Sequence, residues 1–267
     1  MVEVMTGEHP FVVVSNEEAA EGIYRLRIES PVAAEIEPGQ FMNLAVPRDG
    51  AHILRLPLSF SWAAPESGQV ELLYALVGEG TSRLSTMRPG DTSTLIGPCG
   101  RGWRLPAQSG RALLVAGGIG LPPVLAAGRM LAEAGVDFDV IVGAQTAARI
   151  LWDDIREIAE GGPDASRLLR VTTDDGSEGI KGFVTDAMAE LLAARSYTQV
   201  YTCGPNVMMA GVARLAREAD VPCQASLERM MGCGFGACSC CNVALVTGGY
   251  ALCCQDGPVF DAREVAW

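Results

Sequence analysis

Ala112-Leu113-Leu114-Val115-Ala116-Gly117-Gly118-Ile119-Gly120 is a short apolar run closed by a glycine turn, and residues 122–134 continue it as an apolar stretch opened by prolines. Proline is at home in the first turn of a helix, so the stretch reads as strand, tight turn and helix. Further strands are expected at 138–143, 168–173 and 199–203, with helices at 150–160, 184–194 and 207–219. Alternation of this kind predicts a parallel sheet with helices on both faces.

Upstream the rhythm differs. Runs at 11–14, 24–28, 40–46, 70–77 and 92–96 are separated by Gly, Pro and charged turns and read as strands. A small antiparallel barrel is the expected closure, because it removes exposed sheet edges without needing helices on both faces. Downstream, from about residue 221, two short strand candidates at 242–247 and 250–253 flank a cysteine-rich stretch too short for its own core.

That stretch carries Cys233, Cys238, Cys241 and Cys254, spaced C-x4-C-x2-C with a distant fourth Cys. Such spacing holds a plant-type [2Fe–2S] cluster, and thiolates are suitable soft donors to iron. Glycines in the loop let the backbone wrap a bulky inorganic core and aim amide N–H groups at its sulfurs. A zinc knuckle is the first alternative, although zinc sites more often use paired C-x2-C arms or His, and the only histidines are His9 and His52. A disulfide cluster is the second, and it needs an oxidising compartment. The N-terminus shows no basic segment followed by an apolar signal stretch, so a cytoplasmic location is expected. Cys240 and Cys253 each adjoin a candidate ligand and leave the set open at this stage.

Other signals are weaker singly. Arg55-Leu56-Pro57-Leu58-Ser59 places a planar cation and a hydroxyl on one strand, suited to a phosphate or simply to a solvated face. Val77-Gly78-Glu79-Gly80-Thr81-Ser82 follows a strand and either offers amides to a pyrophosphate or makes an ordinary turn with a helix cap. The glycine loop at 117–120 lacks the third glycine of the dinucleotide fingerprint but lies between strand and helix as that fingerprint requires. Cys203-Gly204-Pro205 ends the last strand of the sheet and should share its carboxyl-end crevice. Cys203 is otherwise a small buried residue. Asp174 and Asp175 end another strand, where they would accept from ribose hydroxyls or cap a turn, and a 2′-phosphate could in principle be met by Arg149.

The 267 residues suffice for two domains and a small module. With 20 basic against 32 acidic residues the net charge is −12, which argues against nonspecific binding to nucleic acid or anionic lipid. No apolar run approaches the ~20 residues needed to cross a bilayer, so no membrane association is expected.

In this order, barrel with Arg-x-Pro-Leu-Ser, nucleotide domain with Gly-Gly-Ile-Gly and Cys-Gly-Pro, then the cysteine module, the chain resembles the ferredoxin-reductase superfamily. With Cys233–Cys238, Cys254-Gln-Asp-Gly-Pro-Val-Phe260, Thr173-Asp-Asp-Gly-Ser177 and Lys181-Gly-Phe-Val-Thr185, it is similar in particular to the electron-transfer subunits of type B dihydroorotate dehydrogenase. The resemblance covers nearly the whole chain. It implies a flavin-binding barrel at 1–106 carrying FAD, an α/β domain at 107–221 taking NAD(H), and a [2Fe–2S] module at 222–267. Arg55, Leu58 and Ser59 fall on the first flavin motif, Gly80 and Thr81 on the second, and Gly118, Gly120, Cys203, Gly204 and Pro205 on the nicotinamide-nucleotide positions. Leu58 stands where the superfamily often has Tyr, so no aromatic stack on the isoalloxazine is expected there. The sequence context selects Cys254 over Cys253, and the x2 spacing selects Cys241 over Cys240.

The implied activity is electron transfer. A nicotinamide gives up two electrons together, whereas an iron–sulfur cluster takes one at a time, so a flavin able to do both must stand between them. The implied partner is an FMN-containing dihydroorotate dehydrogenase catalytic subunit in a heterotetramer of two chains of each kind, working in pyrimidine biosynthesis. No residue of this chain is expected to be catalytic toward dihydroorotate. A subunit of a ferredoxin:NADP+ or sulfide oxidoreductase, or the donor to another flavoenzyme, would use the same cofactors with another partner. A zinc-bearing interaction module on a degenerate nucleotide fold is the non-enzymatic alternative.

Overall fold

A computed structural model describes residues 6–47, 54–160 and 167–267. His52, one of the two histidines weighed as zinc ligands, lies outside them. Strands β1 (Gly7–Ala20), β2 (Ile23–Glu29), β3 (Phe41–Leu44), β4 (Leu56–Ala64), β5 (Gln69–Ala75) and β6 (Thr92–Cys99) form a closed antiparallel barrel in the order β1-β2-β5-β4-β3-β6. Strand β1 pairs with both β2 and β6, which removes the sheet edges. Alternation sets what goes inside: Phe11 and Val13 fill the barrel with Leu26, Ile28 and Leu72, while Val12 and Val14 between and after them face outward. A short helix, α1 (Glu79–Leu84), links β5 to β6.

The second half is the expected α/β unit. Strands β7 (Ala112–Gly117), β8 (Phe138–Ala144), β9 (Leu169–Thr173), β10 (Ile180–Lys181) and β11 (Gln199–Cys203) run parallel. Helices α2 (Leu121–Glu133) and α3 (Trp152–Glu160) cover one face; α4 (Val184–Ala194) and α5 (Asn206–Glu218) cover the other. Strand β7 shows why it is apolar throughout. Leu113 and Val115 pack under α4 and α5, and Ala112, Leu114 and Ala116 under α2 and α3, so both faces are buried.

The sheet extends further than its sequence pattern suggests. Its order is β10-β9-β8-β7-β11-β12-β15, where β12 (Cys223–Ser226) is parallel to β11 and β15 (Val259–Asp261) is antiparallel to β12. Between these two strands the chain makes the cysteine loop and a hairpin of β13 (Asn242–Ala244) and β14 (Tyr250–Leu252). Cys223-Gln224-Ala225-Ser226 has no β-branched residue; it is a strand because β11 offers it an open edge. Both ends of the cysteine segment are thus anchored to the nucleotide sheet, and Cys241, Val243, Ala251 and Val265 share a core with α4 and α5.

Barrel and sheet are joined by an ion network. Arg25 on β2 donates through both guanidinium arms to Asp154 on α3, at 2.9 and 2.7 Å, and lies 2.9 Å from Glu71 on β5. Glu71 also pairs with Arg27 at 2.9 Å and accepts from Ser61 at 2.8 Å. Burial alone would raise the Glu71 carboxyl, but Arg25, Ser61 and Arg27 outweigh it and hold it below the ordinary carboxylate range. Arg129 on α2 closes the joint by donating to the Ser61 carbonyl at 2.7 Å. Among the described residues no helix is long and apolar enough to cross a membrane.

Candidate functional site

A cleft of about 420 Å³ opens where the three parts of the chain meet. The barrel supplies Leu58, Ser59 and Thr81, the turn after β7 supplies Ile119, and the segment ahead of the cysteines supplies Leu227 to Met231. Cys253 and Pro258 complete the wall. The lining is mainly apolar with a few fixed polar groups, as suits a planar heterocycle. The hydroxyl of Thr81 accepts from the Val77 and Gly78 amides at 3.0 and 3.2 Å, which fixes the turn entering α1, and Gly80 is buried beside it. Desolvation against the cleft wall pushes the Glu228 carboxyl up, although the residue as a whole is exposed.

Arg55 does not line this cleft. Its guanidinium donates to Glu8 at 2.6 Å and to the Thr94 carbonyl and hydroxyl at 3.0 and 3.1 Å, on the flank where β6 runs beside β1.

The two nucleotide turns do come together. Ala116 at the end of β7 pairs with Cys203 at the end of β11, so the glycine loop and Cys203-Gly204-Pro205 leave the sheet side by side. A methyl group on Gly120 would run into the backbone of Cys203 and Gly204; only glycine permits that approach. Gly118 has φ +53° and open space above it. Strand order diverges between β7 and β11, which is where open α/β sheets bind ligands. Cys203 is fully buried and its thiol is pushed up by desolvation and by the Glu228 charge. Further along the same sheet end, Asp175 accepts from the Ser177 amide and hydroxyl, and Ser177 in turn accepts from the Ala147 amide. Arg149 is tied to Gln145 at 2.7 Å.

The cysteines fall into two pairs. Cys233 and Cys238 are in contact, with the Cys233 amide donating to Cys238 Sγ and the Phe235 amide to Cys233 Sγ, both at 3.4 Å. Cys241 and Cys254 are in contact, with the Cys254 amide donating to Cys241 Sγ at 3.4 Å and the Gly236 amide meeting Cys254. Among the described residues no three His, Cys, Asp or Glu side chains converge as one metal ion needs. Two touching pairs ringed by amides instead suit two irons, one to each pair. Burial works against the Cys233 thiolate, but the amides of Phe235, Cys238 and Ala237 prevail and bring its pKa down to about 7. Cys254 is pushed up to about 12 by burial and by Cys241. Cys253 turns away from both pairs: its thiol donates to the Leu227 carbonyl at 3.1 Å and faces the cleft. Cys240 is exposed beside them.

The iron–sulfur cluster binding domain of dihydroorotate dehydrogenase B matches residues 228–266, and the oxidoreductase NAD-binding domain matches residues 114–214. The dihydroorotate dehydrogenase B (NAD(+)) electron transfer subunit of Geobacillus kaustophilus is 39% identical over 98% of this chain and 99% of its own. The chain belongs to that family of electron transfer subunits. A solved NADH-dependent reduced ferredoxin-NADP oxidoreductase, studied for flavin-based electron bifurcation, is 33% identical, with TM-score 0.84 over 96% of this chain and 89% of that one. A ferredoxin NADP+ reductase from Neisseria gonorrhoeae with bound FAD and NADP shares the fold at 15% identity, with TM-score 0.65 over 81% of this chain and 92% of that one. The subunit is an oxidoreductase with an iron–sulfur cluster binding domain and an NAD-binding domain.

Three features of the site carry little signal in the sequence. The Leu227–Met231 wall is a loop with no periodicity to mark it. Tyr74, on β5, lines the cleft from within an apolar run and looks like a core residue in sequence. Asn43 is a polar residue inside the apolar 40–46 run, and that interruption is its one mark in the sequence.

Proposed function

We propose that this chain carries electrons between NAD(H) and an FMN-containing dihydroorotate dehydrogenase catalytic subunit, in a heterotetramer of two chains of each kind serving pyrimidine biosynthesis. One observation carries the reading: a single cleft is walled by the flavin motif, the nucleotide turn and the cysteine module. A flavin bound there would supply the exchange between the paired electrons of a nicotinamide and the single electrons of an iron–sulfur group.

Leu58 and Ser59 line the barrel side of the flavin, and the turn held by Thr81, with Gly80 beside it, flanks its phosphates. Arg55 reaches a phosphate only by exchanging its contact with Glu8, a polar swap at a partly exposed position. Gly118 and Gly120 let the dinucleotide backbone approach the sheet, while Cys203, Gly204 and Pro205 shape the floor of the nicotinamide site. Cys233, Cys238, Cys241 and Cys254 are the cluster ligands; Cys253 packs between that site and the flavin. The barrel at 1–106, the sheet domain at 107–221 and the module at 222–267 are the functional units, although β12 and β15 tie the module to the sheet. The 39% identical relative named for dihydroorotate dehydrogenase B supports this partner.

The 33% identical ferredoxin-NADP oxidoreductase chain supports a second reading with the same cofactors and a different partner. Purification with co-expressed neighbours, cofactor extraction and an assay with dihydroorotate and NAD+ separate the two. Recovery of an FMN-bearing partner and dihydroorotate-dependent NAD+ reduction is expected; a partner without FMN or that activity would replace the first reading by the second.

A further inference from the structure

The outer face of β3 meets the cysteine module. Met42 and Leu44 point into the barrel, whereas Phe41 shares a buried cluster with Cys99, Cys241, Cys253 and Cys254. Asn43 has the same parity as Phe41. It is 0% exposed, and neither its amide nitrogen nor its carbonyl oxygen has a hydrogen-bond partner in the protein. Its cross-strand neighbours, Pro57 and Ile96, offer no polar side chain. Folded proteins seldom leave such a group unmet, because both halves of the amide are stripped of water.

One neighbour gives the orphaned amide a direction. Gly234, immediately after Cys233, has φ +85°, and a Cβ built on it would lie 3.0 Å from Asn43 Nδ2. The loop that wraps the cluster site therefore passes directly over this amide. A carboxamide nitrogen only donates, and the acceptors that a filled site adds beside Gly234 are sulfurs.

We propose that Asn43 donates a hydrogen bond to a sulfur of the [2Fe–2S] group, either the Cys233 thiolate or an inorganic sulfide, and thereby raises its reduction potential. The inference rests on the cluster assignment above. One-electron reduction concentrates negative charge on the sulfurs, so a donor fixed in a dry setting favours the reduced form more than the oxidised one. A barrel residue thus sets the driving force for electrons moving between flavin and cluster.

The test is an EPR-monitored redox titration of the purified holoprotein, parent against Asn43→Leu and Asn43→Asp. Replacing the amide by an apolar group of similar size is expected to shift the one-electron equilibrium toward oxidised cluster by roughly tenfold, which for a one-electron couple is about 59 mV downward. Asn43→Asp, with an acceptor in place of the donor, is expected to shift it further in the same direction. The flavin potential is expected to stay put. In cluster-free protein, Asn43→Leu is expected to unfold at the same or higher urea concentration than the parent, because an unmet polar group has been removed. A loss of stability there would mark Asn43 as merely structural and overturn the proposal. So would an unchanged cluster potential at full iron content in the leucine variant, or in the aspartate variant should the leucine variant not assemble. Absence of iron and sulfide from the parent itself would instead overturn the cluster assignment.

Discussion

Arg25→Leu tests the joint that holds barrel and sheet together. The substitution removes two charge-assisted hydrogen bonds to Asp154 and one contact to Glu71, both carboxylate side chains being 4% exposed. Glu71 keeps Arg27 and Ser61, whereas the Asp154 carboxylate loses its bidentate partner. Breaking a buried pair costs about 3–5 kcal/mol. The lower end applies here because the Arg25 side chain is itself 23% exposed. A loss of about 3 kcal/mol lowers the thermal midpoint by roughly 6–12 °C in a chain of this size. Scanning calorimetry measures that shift, and a cycle with Asp154→Asn should return a coupling of at least about 1.5 kcal/mol. The effect also has a sign in pH. The Glu71 pKa is depressed in the folded state, so its stabilisation is present above the ordinary carboxylate range and is lost as pH falls through the depressed value. Removing Arg25 discards most of that stabilisation, so the gap between parent and variant should narrow as pH falls through that window. A variant within about 0.5 kcal/mol of the parent at neutral pH, or a gap that widens in acid, would mean that Arg25 does not hold barrel and sheet together.

Gly120→Ala places a methyl against the backbone of Cys203 and Gly204 and should force the two nucleotide turns apart. A misplacement of about 1 Å costs on the order of 10²-fold in rate, so stopped-flow reduction of the flavin by NADH should slow by about that factor while photoreduction is unaffected. In cluster-free protein, alkylation followed by mass spectrometry should label Cys233 with a midpoint near pH 7, while Cys253 and Cys254, both pushed up to about 12 by burial, stay unlabelled. Preferential labelling of Cys254 at neutral pH would contradict the pairing described.

What the sequence made legible follows from how local each signal is. The stretch around Ala112–Gly117 announced itself because a doubly covered strand must be apolar on both faces and the chain must then turn tightly into α2. Helix α4 carries its own periodicity and lies where that periodicity places it, at Val184–Ala194. Strands β12 and β15 were not legible, since each is too short for a pattern; β12 is a strand because it takes the free edge of β11, and β15 because it takes that of β12. The candidate site divides in the same way. The spacing of Cys233, Cys238, Cys241 and Cys254 is local, and their contacts fall into the two pairs that this spacing suits. The placement of Glu228 in the cleft, the engagement of Arg55 with Glu8, and the burial of Asn43 against Gly234 depend on how three units pack, which no window of sequence contains.

The flavin motif, the nucleotide turn and the cysteine module wall one cleft, and anaerobic titration of the holoprotein with NADH, followed by EPR and visible absorbance, shows whether electrons pass through it. The expected result is bleaching of the flavin together with the rhombic signal of a one-electron-reduced [2Fe–2S] group, the signal alone vanishing in Cys238→Ser. Flavin bleaching with a cluster that stays oxidised although dithionite reduces it would mean that the cleft does not link the two groups.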